Sequence, residues 1–217
     1  MENLILYGNG SVACGSFHVL TDDPNYQVVA FTVDRGVIKD NTLCGLPVIP
    51  FDEIEARYPP RGHKMLVAVG FSRMNMLRAE RYVQAKEKGY ALVNYISSRA
   101  CVPGDLRIGD NCMIGAHTVI QQGVIIGNNV IIRENCIVGH NGIINDHCFL
   151  AGGVVIAGNV SIGRNCFLGA NCTLKNGIKV SEACLIGAGA VMLNDTQEKE
   201  VYMVQPARKL PFPSDRL

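Results

Sequence analysis

Aliphatic residues recur at every sixth position from Val102 to Ile186. The series runs Val102, Ile108, Ile114, Ile120, Ile126, Ile132, Val138, Ile144, Leu150, Ile156, Ile162, Leu168, Leu174, Val180 and Ile186, fifteen hexads without a slip. A period of six matches neither the 3.6 of a helix nor the two of a flat strand. It predicts a hexapeptide solenoid with one short strand and a turn per repeat. Three repeats close a triangular coil of 18 residues, so 102–191 holds five coils stacked at strand spacing.

The remaining positions keep this register. Gly109, Gly115, Gly127, Gly139, Gly163, Gly169 and Gly187 each follow an anchor, which suits a turn backbone needing unusual dihedrals or close approach. Four residues after the anchor stands a small residue, from Cys112 and Thr118 to Cys184 and Ala190, expected to point inward. Six of the nine cysteines fall on that position: Cys112, Cys136, Cys148, Cys166, Cys172 and Cys184. Coil spacing separates them and there is no Cys-x-x-Cys pair, so core packing is a better account than a metal or disulfide site. So many packed thiols also imply a reducing compartment.

Residues 1–98 do not repeat. Strands are expected at Leu4–Tyr7, Gln27–Thr32, Pro47–Ile49, Met65–Val69 and Ala91–Tyr95, and helices from Ser11 to about Leu20, over Phe51–Tyr58 and over Met74–Lys88. Strand–helix alternation predicts a parallel sheet with right-handed crossovers, one half of a dinucleotide-binding fold. The fold class is thus an α/β half-Rossmann domain over 1–98 followed by an all-β parallel β-helix with its tail over 99–217. Residues 96–101 form the link, and the tail through Pro211 and Pro213 reads as extended.

The sheet's carboxyl edge is where a ligand belongs. It gathers Gly8, Asn9, Gly10, Asp34, Arg35, Gly70 and Phe71. The Gly8-x-Gly10 turn lets backbone N–H groups approach a phosphate at a helix N-terminus, and Asp34 is placed to accept from a ribose. The turn lacks the third glycine of the dinucleotide fingerprint; Ala13 stands there, which the looser pattern tolerates.

Composition narrows the partners. The formal net charge is +1, so nothing marks the chain for nucleic acid or an anionic membrane. No apolar run reaches the ~18–20 residues that span a bilayer. The N-terminus enters a strand directly, without a signal-peptide pattern, and the expectation is a cytoplasmic protein. No metal is expected, because no cluster of ligands is seen.

Histidine is the candidate base, since its pKa suits proton transfer near neutrality. His18 and His63 read as structural or solvated. His117 and His147 stand at a turn position that usually faces solvent. His140 has Gln122 one coil below and Gly158 one coil above, which leaves room for a ligand and offers the Gly158 N–H to an oxyanion. Periodicity alone does not choose between His140 and His147. Solenoid prisms can bury one flat face by cyclic trimerisation, leaving grooves between neighbours.

The chain resembles the nucleotide-sugar acyltransferases of the left-handed β-helix superfamily, in particular the PglD/NeuD-type sugar N-acetyltransferases. The similar stretches are Leu6–Gly10, Val67–Ser72, Gly89–Val93, Ile137–Asn141, Val160–Gly169 and Pro206–Lys209. The resemblance implies a homotrimer that uses acetyl-CoA, or another acyl-CoA, as cosubstrate, lying in the groove between two β-helices. It implies that the N-terminal domain holds a UDP-, dTDP- or GDP-linked amino sugar for surface glycan (lipopolysaccharide) biosynthesis. The motif histidine matches His140, general base as the amine attacks the thioester directly. Gly158 matches the glycine whose N–H contacts the acyl oxygen, Ala170 and Ala188 match positions along the CoA path, and Pro206 and Arg208 lie toward the CoA phosphates. The family's base is usually followed by an acid; here Asn141 stands there, and Glu134 or Asp146 are the acids near enough in sequence to substitute. The alternatives are a sugar O-acetyltransferase and a non-catalytic β-helix scaffold.

Overall fold

The computed structural model describes residues 1–208 and Pro211. The tail from Pro213, read above as extended, and Lys209 lie outside the described residues. The first 92 residues supply strands β1 (Glu2–Tyr7), β2 (Tyr26–Val33), β3 (Thr42–Leu43), β4 (Leu46–Pro50), β5 (His63–Val67) and β6 (Ala91–Leu92). Helices α1 (Ser11–Thr21), α2 (Ile54–Arg57) and α3 (Met76–Glu87) connect them. The sheet order is β3-β4-β2-β1-β5-β6, parallel except for the β3–β4 hairpin. The chain leaves β1 toward β2 and returns to its other side at β5, so the switch point lies between β1 and β5.

Several boundaries moved for local reasons. The hairpin partner β3 was not expected: its turn needs positive φ at both Cys44 (51°) and Gly45 (78°), and a cysteine gives no such signal. The helix expected over Phe51–Tyr58 is confined to Ile54–Arg57. α3 starts at Met76 rather than Met74, because Arg73, Met74 and Asn75 are all left-handed (φ 52°, 51° and 64°). The strand expected over Ala91–Tyr95 divides: β6 pairs with β5, whereas Tyr95–Ile96 pairs with Met113–Ile114. Asn94 sits at the division, donating to Gly109 O (2.7 Å) and accepting from Cys112 N (2.7 Å).

The rest is a left-handed parallel β-helix of three faces, built from two-residue strands whose second residue points inward. One face, polar at Arg107, Ser161 and Lys179 but apolar at Ile125 and exposed Ile143, carries Arg107–Ile108, Ile125–Ile126, Ile143–Ile144, Ser161–Ile162 and Lys179–Val180 and is called the polar face. A covered face runs from Tyr95–Ile96 through Met113–Ile114, Ile131–Ile132, Phe149–Leu150, Phe167–Leu168 and Leu185–Ile186 to Val201–Tyr202. An open face carries Val119–Ile120, Ile137–Val138, Val155–Ile156, Thr173–Leu174 and Val191–Met192. The anchors from Ile114 to Ile186 are all buried. The strand expected at Val102 is replaced by a single bridge from Cys101 to Val119, and at the other end the array runs one hexad further, to buried Met192.

The six inward cysteines are free and fully buried, and burial pushes the Cys112 and Cys172 thiols up to about 12. All six pack as small hydrophobes. The glycines after the anchors are required for close approach rather than for unusual dihedrals. A Cβ at Gly139 would lie 2.6 Å from Ala157 C and Gly158 N in the next coil. The left-handed residue comes two positions later, where Asn111, His117, Asn129, Asn141, His147 and Asn159 have φ near 55–64°. Asn and His tolerate that region better than most residues.

The two domains share a core. Met113, Ile131 and Phe149 project from the covered face and are buried against Leu4, Ala13, Phe31 and Leu66. Each such side chain contributes about 1.5–3 kcal/mol of burial.

Candidate active site

A cavity of 690 Å³ opens at the switch point. Gly8, Asn9, Gly10, Asp34, Gly70 and Phe71 line it together, as does Ser11 at the start of α1. Gly8 turns the chain out of β1 with φ 135°, and a Cβ there would lie 2.7 Å from Ala68 O. Gly10 is under no such constraint, since a Cβ there meets nothing within 4 Å. It caps α1 without a side-chain hydrogen bond, which leaves first-turn N–H groups available to an anion. Arg35 turns away from the crevice: its guanidinium pairs with Asp52 (3.0 Å) and Glu53 (2.6 Å).

Asp34 is less free than its position in sequence suggests. Tyr7 Oη donates to its Oδ1 (2.8 Å), Arg81 Nη2 pairs with its Oδ2 (2.5 Å), and Arg81 Nε donates to Tyr7 Oη (2.8 Å). Burial, reinforced by the Asp34 contact, pushes the Tyr7 phenol up, so it stays a neutral donor. A ligand therefore meets a carboxylate that is already oriented.

The prism closes the crevice with Arg133, Phe149, Ala151 and Gly152. None of these was expected from sequence, because only docking of the two domains puts them there. Phe71 lies over Phe167 (4.3 Å between centroids) and beside Phe149 (5.7 Å). The loop carrying Gly70 and Phe71 is pinned by Arg78 of α3, which is completely buried. Its guanidinium donates to the carbonyls of Val69 and Gly70 (both 3.3 Å) and of His147 (2.9 Å) and Cys148 (3.0 Å), and to Asn129 Oδ1 (3.2 Å). Burial pushes its pKa down to about 10, which still leaves it charged at neutral pH. Asn75, also buried, donates to Asn165 O (3.2 Å) and Cys166 O (3.0 Å), holding the left-handed turn against the prism. Arg78, Tyr82 and Ala85 fall on one buried stripe of α3, continued by its buried N-cap residue Asn75. The spacing was legible, but an arginine there reads as solvated.

His140 is exposed at the corner between the open and polar faces, and its ring lies over Gly158 in the next coil. A Cβ at 158 would lie 2.6 Å from His140 Cε1 and 2.8 Å from Cδ2. Gln121 Oε1 accepts from the His140 amide (2.9 Å), and Asn141 Nδ2 is 3.4 Å from His140 Nδ1. The groove below the ring, 450 Å³, is lined by Cys101, Val102, Pro103, Val119, Gln121 and Gln122. Glu134 and Asp146 do not reach this histidine within the chain. Asp146 accepts from Asn128 N (2.7 Å) at another corner, and Glu134 pairs with Arg133 (3.1 Å) across the open face.

His147 is half-buried rather than solvent-facing. It packs on Tyr82 (5.6 Å) and meets Asn129 Nδ2 through Nδ1 (2.9 Å), and burial lowers its pKa. His117 and His18 are exposed, and His63 Nδ1 lies 2.8 Å from Pro59 O. Ala170 and Ala188 are exposed at the corner between the covered and open faces, the corner that borders the crevice. Pro206 and Arg208 are exposed beyond the last strand. Within one chain, then, the crevice and His140 lie on opposite edges of the open face. Among the described residues, no group of three His, Cys, Asp or Glu side chains is placed to hold a metal ion, and no helix is long and apolar enough to cross a membrane.

Residues 95–203 match the family model described as the GMPPB C-terminal domain. No curated protein sequence matches the chain. Among solved structures, the chain is similar to a mutant of perosamine N-acetyltransferase from Caulobacter crescentus in complex with CoA and GDP-perosamine. The two are 25% identical with a TM-score of 0.83, over 93% of each chain. It is also similar to the acetyltransferase domain of PglB from Neisseria gonorrhoeae (24% identity, TM-score 0.84, 93% of this chain and 96% of that one). WeeI from Acinetobacter baumannii shares the fold at 18% identity and TM-score 0.83, over 97% of this chain and all (100%) of that one.

Proposed function

We propose, from the premise that this chain belongs to the family of the GMPPB C-terminal domain, that it is an acyl-CoA-dependent N-acyltransferase acting on the amino group of a nucleotide-linked amino sugar. The observation that carries this reading is the level of two features on the prism. Glu134 and His140 belong to the same coil, and Gly152, which lines the crevice, belongs to the next. The open face between them carries Val119, Ile137, Val155, Thr173 and Val191 outward, with Ile137 41% and Val191 64% exposed. A three-fold axis parallel to the prism buries that face against two further copies and keeps their coils level. It brings His140 of the partner subunit to the mouth of the crevice.

In this reading the nucleotide lies in the crevice, its phosphates toward the start of α1, and the sugar extends past Arg133 and Gly152. The acyl-CoA lies in the groove between prisms, bordered on one side by Ala170 and Ala188 and on the other by Gly158 of the partner subunit; Pro206 and Arg208 extend toward its phosphates. The amine attacks the thioester carbonyl, His140 accepts the amine proton, and the Gly158 N–H faces the developing oxyanion. The intermediate then collapses, the C–S bond breaks, and CoA leaves as the thiolate, which takes a proton from water. A neutral amine is already a good nucleophile, so the protein mainly positions two substrates. The complex of the Caulobacter relative with CoA and GDP-perosamine supports this substrate pair.

The test offers acetyl-CoA and a panel of UDP-, dTDP- and GDP-linked amino sugars to the purified protein, with products analysed by mass spectrometry. An acylated sugar carrying an amide is expected. A base-labile ester would assign the hydroxyl as acceptor. Absence of transfer, together with no CoA binding by calorimetry, would leave only a scaffold.

A further inference from the structure

Asn141 and Asn159 stand one above the other at the His140 corner, both at left-handed turn positions (φ 55° and 58°). Their column is closed by Gly123 below and Gly177 above, so these two amides form an isolated pair. Asn141 Nδ2 lies 3.4 Å from His140 Nδ1 and 3.3 Å from Asn159 Oδ1. A second ladder in the same prism shows what such a column does. There the Val67 amide donates to Asn111 Oδ1 (2.8 Å) and Asn111 Nδ2 donates to Asn129 Oδ1 (2.7 Å). Asn129 Nδ2 then meets His147 Nδ1 (2.9 Å). A backbone N–H starts that ladder, so its direction is fixed and His147 Nδ1 is an acceptor. Among the described residues, no backbone N–H starts the ladder at His140.

We infer that Asn159 is a positioning residue, and that the direction of the Asn159–Asn141 amide pair decides which ring nitrogen of His140 carries the proton. The inference rests on the reading of His140 as the base. With Asn159 Oδ1 facing Asn141, the Asn141 amide donates to Nδ1, and the neutral ring holds its proton on Nε2. That ring is a donor at Nε2 and cannot take a proton there. With both amides turned over, Asn159 donates to Asn141 Oδ1, which accepts from Nδ1–H. Nε2 then presents its lone pair, takes the amine proton and later releases it to water. The two directions share the same heavy-atom positions, and both side chains are exposed within the single chain. An acid at 141 would allow only the second direction; asparagine allows both, which makes the residue above it decisive.

The test uses full-length protein with ¹⁵N-labelled histidine, comparing wild type with Asn159→Asp, Asn159→Gly and Asn141→Asp. A carboxylate at 159 only accepts, so it holds the first direction. Asn159→Asp is expected to move the His140 Nδ1 signal into the unprotonated range. It should lower kcat about tenfold, a fraction of what a general base supplies, with both KM values unchanged. Asn159→Gly frees Asn141 and gives an intermediate kcat. Asn141→Asp puts the ring proton on Nδ1 and moves the rising limb of the kcat–pH profile upward. Wild-type ring shifts and kcat in Asn159→Asp would overturn the inference. Full activity in His140→Ala would instead overturn the base reading, while the ring shifts would still report on the ladder.

Discussion

The His140 ring and the Gly158 backbone are packed so that position 158 has no room for a side chain: an added methyl would sit 2.6 Å from ring Cε1. Gly158 is not among the left-handed glycines, so alanine there is refused by the ring and not by the backbone. Gly158→Ala is expected to fold normally, displace the imidazole and lower kcat about a hundredfold, the penalty for misplacing a reacting group by about 1 Å. Circular dichroism and steady-state kinetics check this. A wild-type kcat would mean that the ring does not act where it is seen.

The crevice and His140 occupy opposite edges of the open face, so on the proposed reading an active unit would need two copies. His140→Ala and Gly8→Val are each expected to be inactive, the second because its Cβ collides with Ala68 O. Mixed assemblies formed by co-expression should recover part of the activity, since some interfaces join an intact histidine to an intact crevice. Ile137→Asp should abolish both assembly, by light scattering, and activity.

Arg81 holds Asp34 and Tyr7 in one network. Arg81→Ala leaves Asp34 held at the crevice wall by Tyr7 alone. The KM for the nucleotide sugar should rise roughly tenfold, about 1.4 kcal/mol, with the acyl-CoA KM unchanged. Equal changes in both would place Arg81 outside the nucleotide site.

Arg78 satisfies carbonyls from both domains at zero exposure. Arg78→Met strands those carbonyls and should cost about 3 kcal/mol of stability, read by denaturant unfolding. Loss of under about 0.5 kcal/mol, the range of ordinary surface substitutions, would contradict the role of Arg78 in pinning the loop to the prism.

His147 titrates below its unfolded value because burial disfavours its charged form. The unfolded chain therefore binds the proton first, and stability falls as pH drops below about 6.5. His147→Asn keeps a residue that tolerates the left-handed turn and removes the titration. Its melting temperature should depend less on pH between 7 and 5 than that of the wild type.

The hexad array, the inward cysteines and the Gly8–Gly10 turn were legible because each follows from local sterics or from a period the chain must keep. Arg78 and the Asp34–Arg81 pair were not, since an arginine on a helix carries no sign that carbonyls from a second domain will surround it. Arg35 misled for the converse reason: it adjoins Asp34 in sequence, but Asp52 and Glu53 draw it away.

The period of six alone determined which side chains enter the prism and which residues stack at 18-residue spacing, including Gly158 over His140. Strand pairing fixes that register whatever surrounds the prism. Only the tertiary structure decided that the N-terminal domain covers one face and leaves an apolar one open, and that the prism completes the crevice with Arg133, Phe149 and Gly152. Those contacts depend on shape matching between surfaces distant in sequence, and no local pattern encodes it.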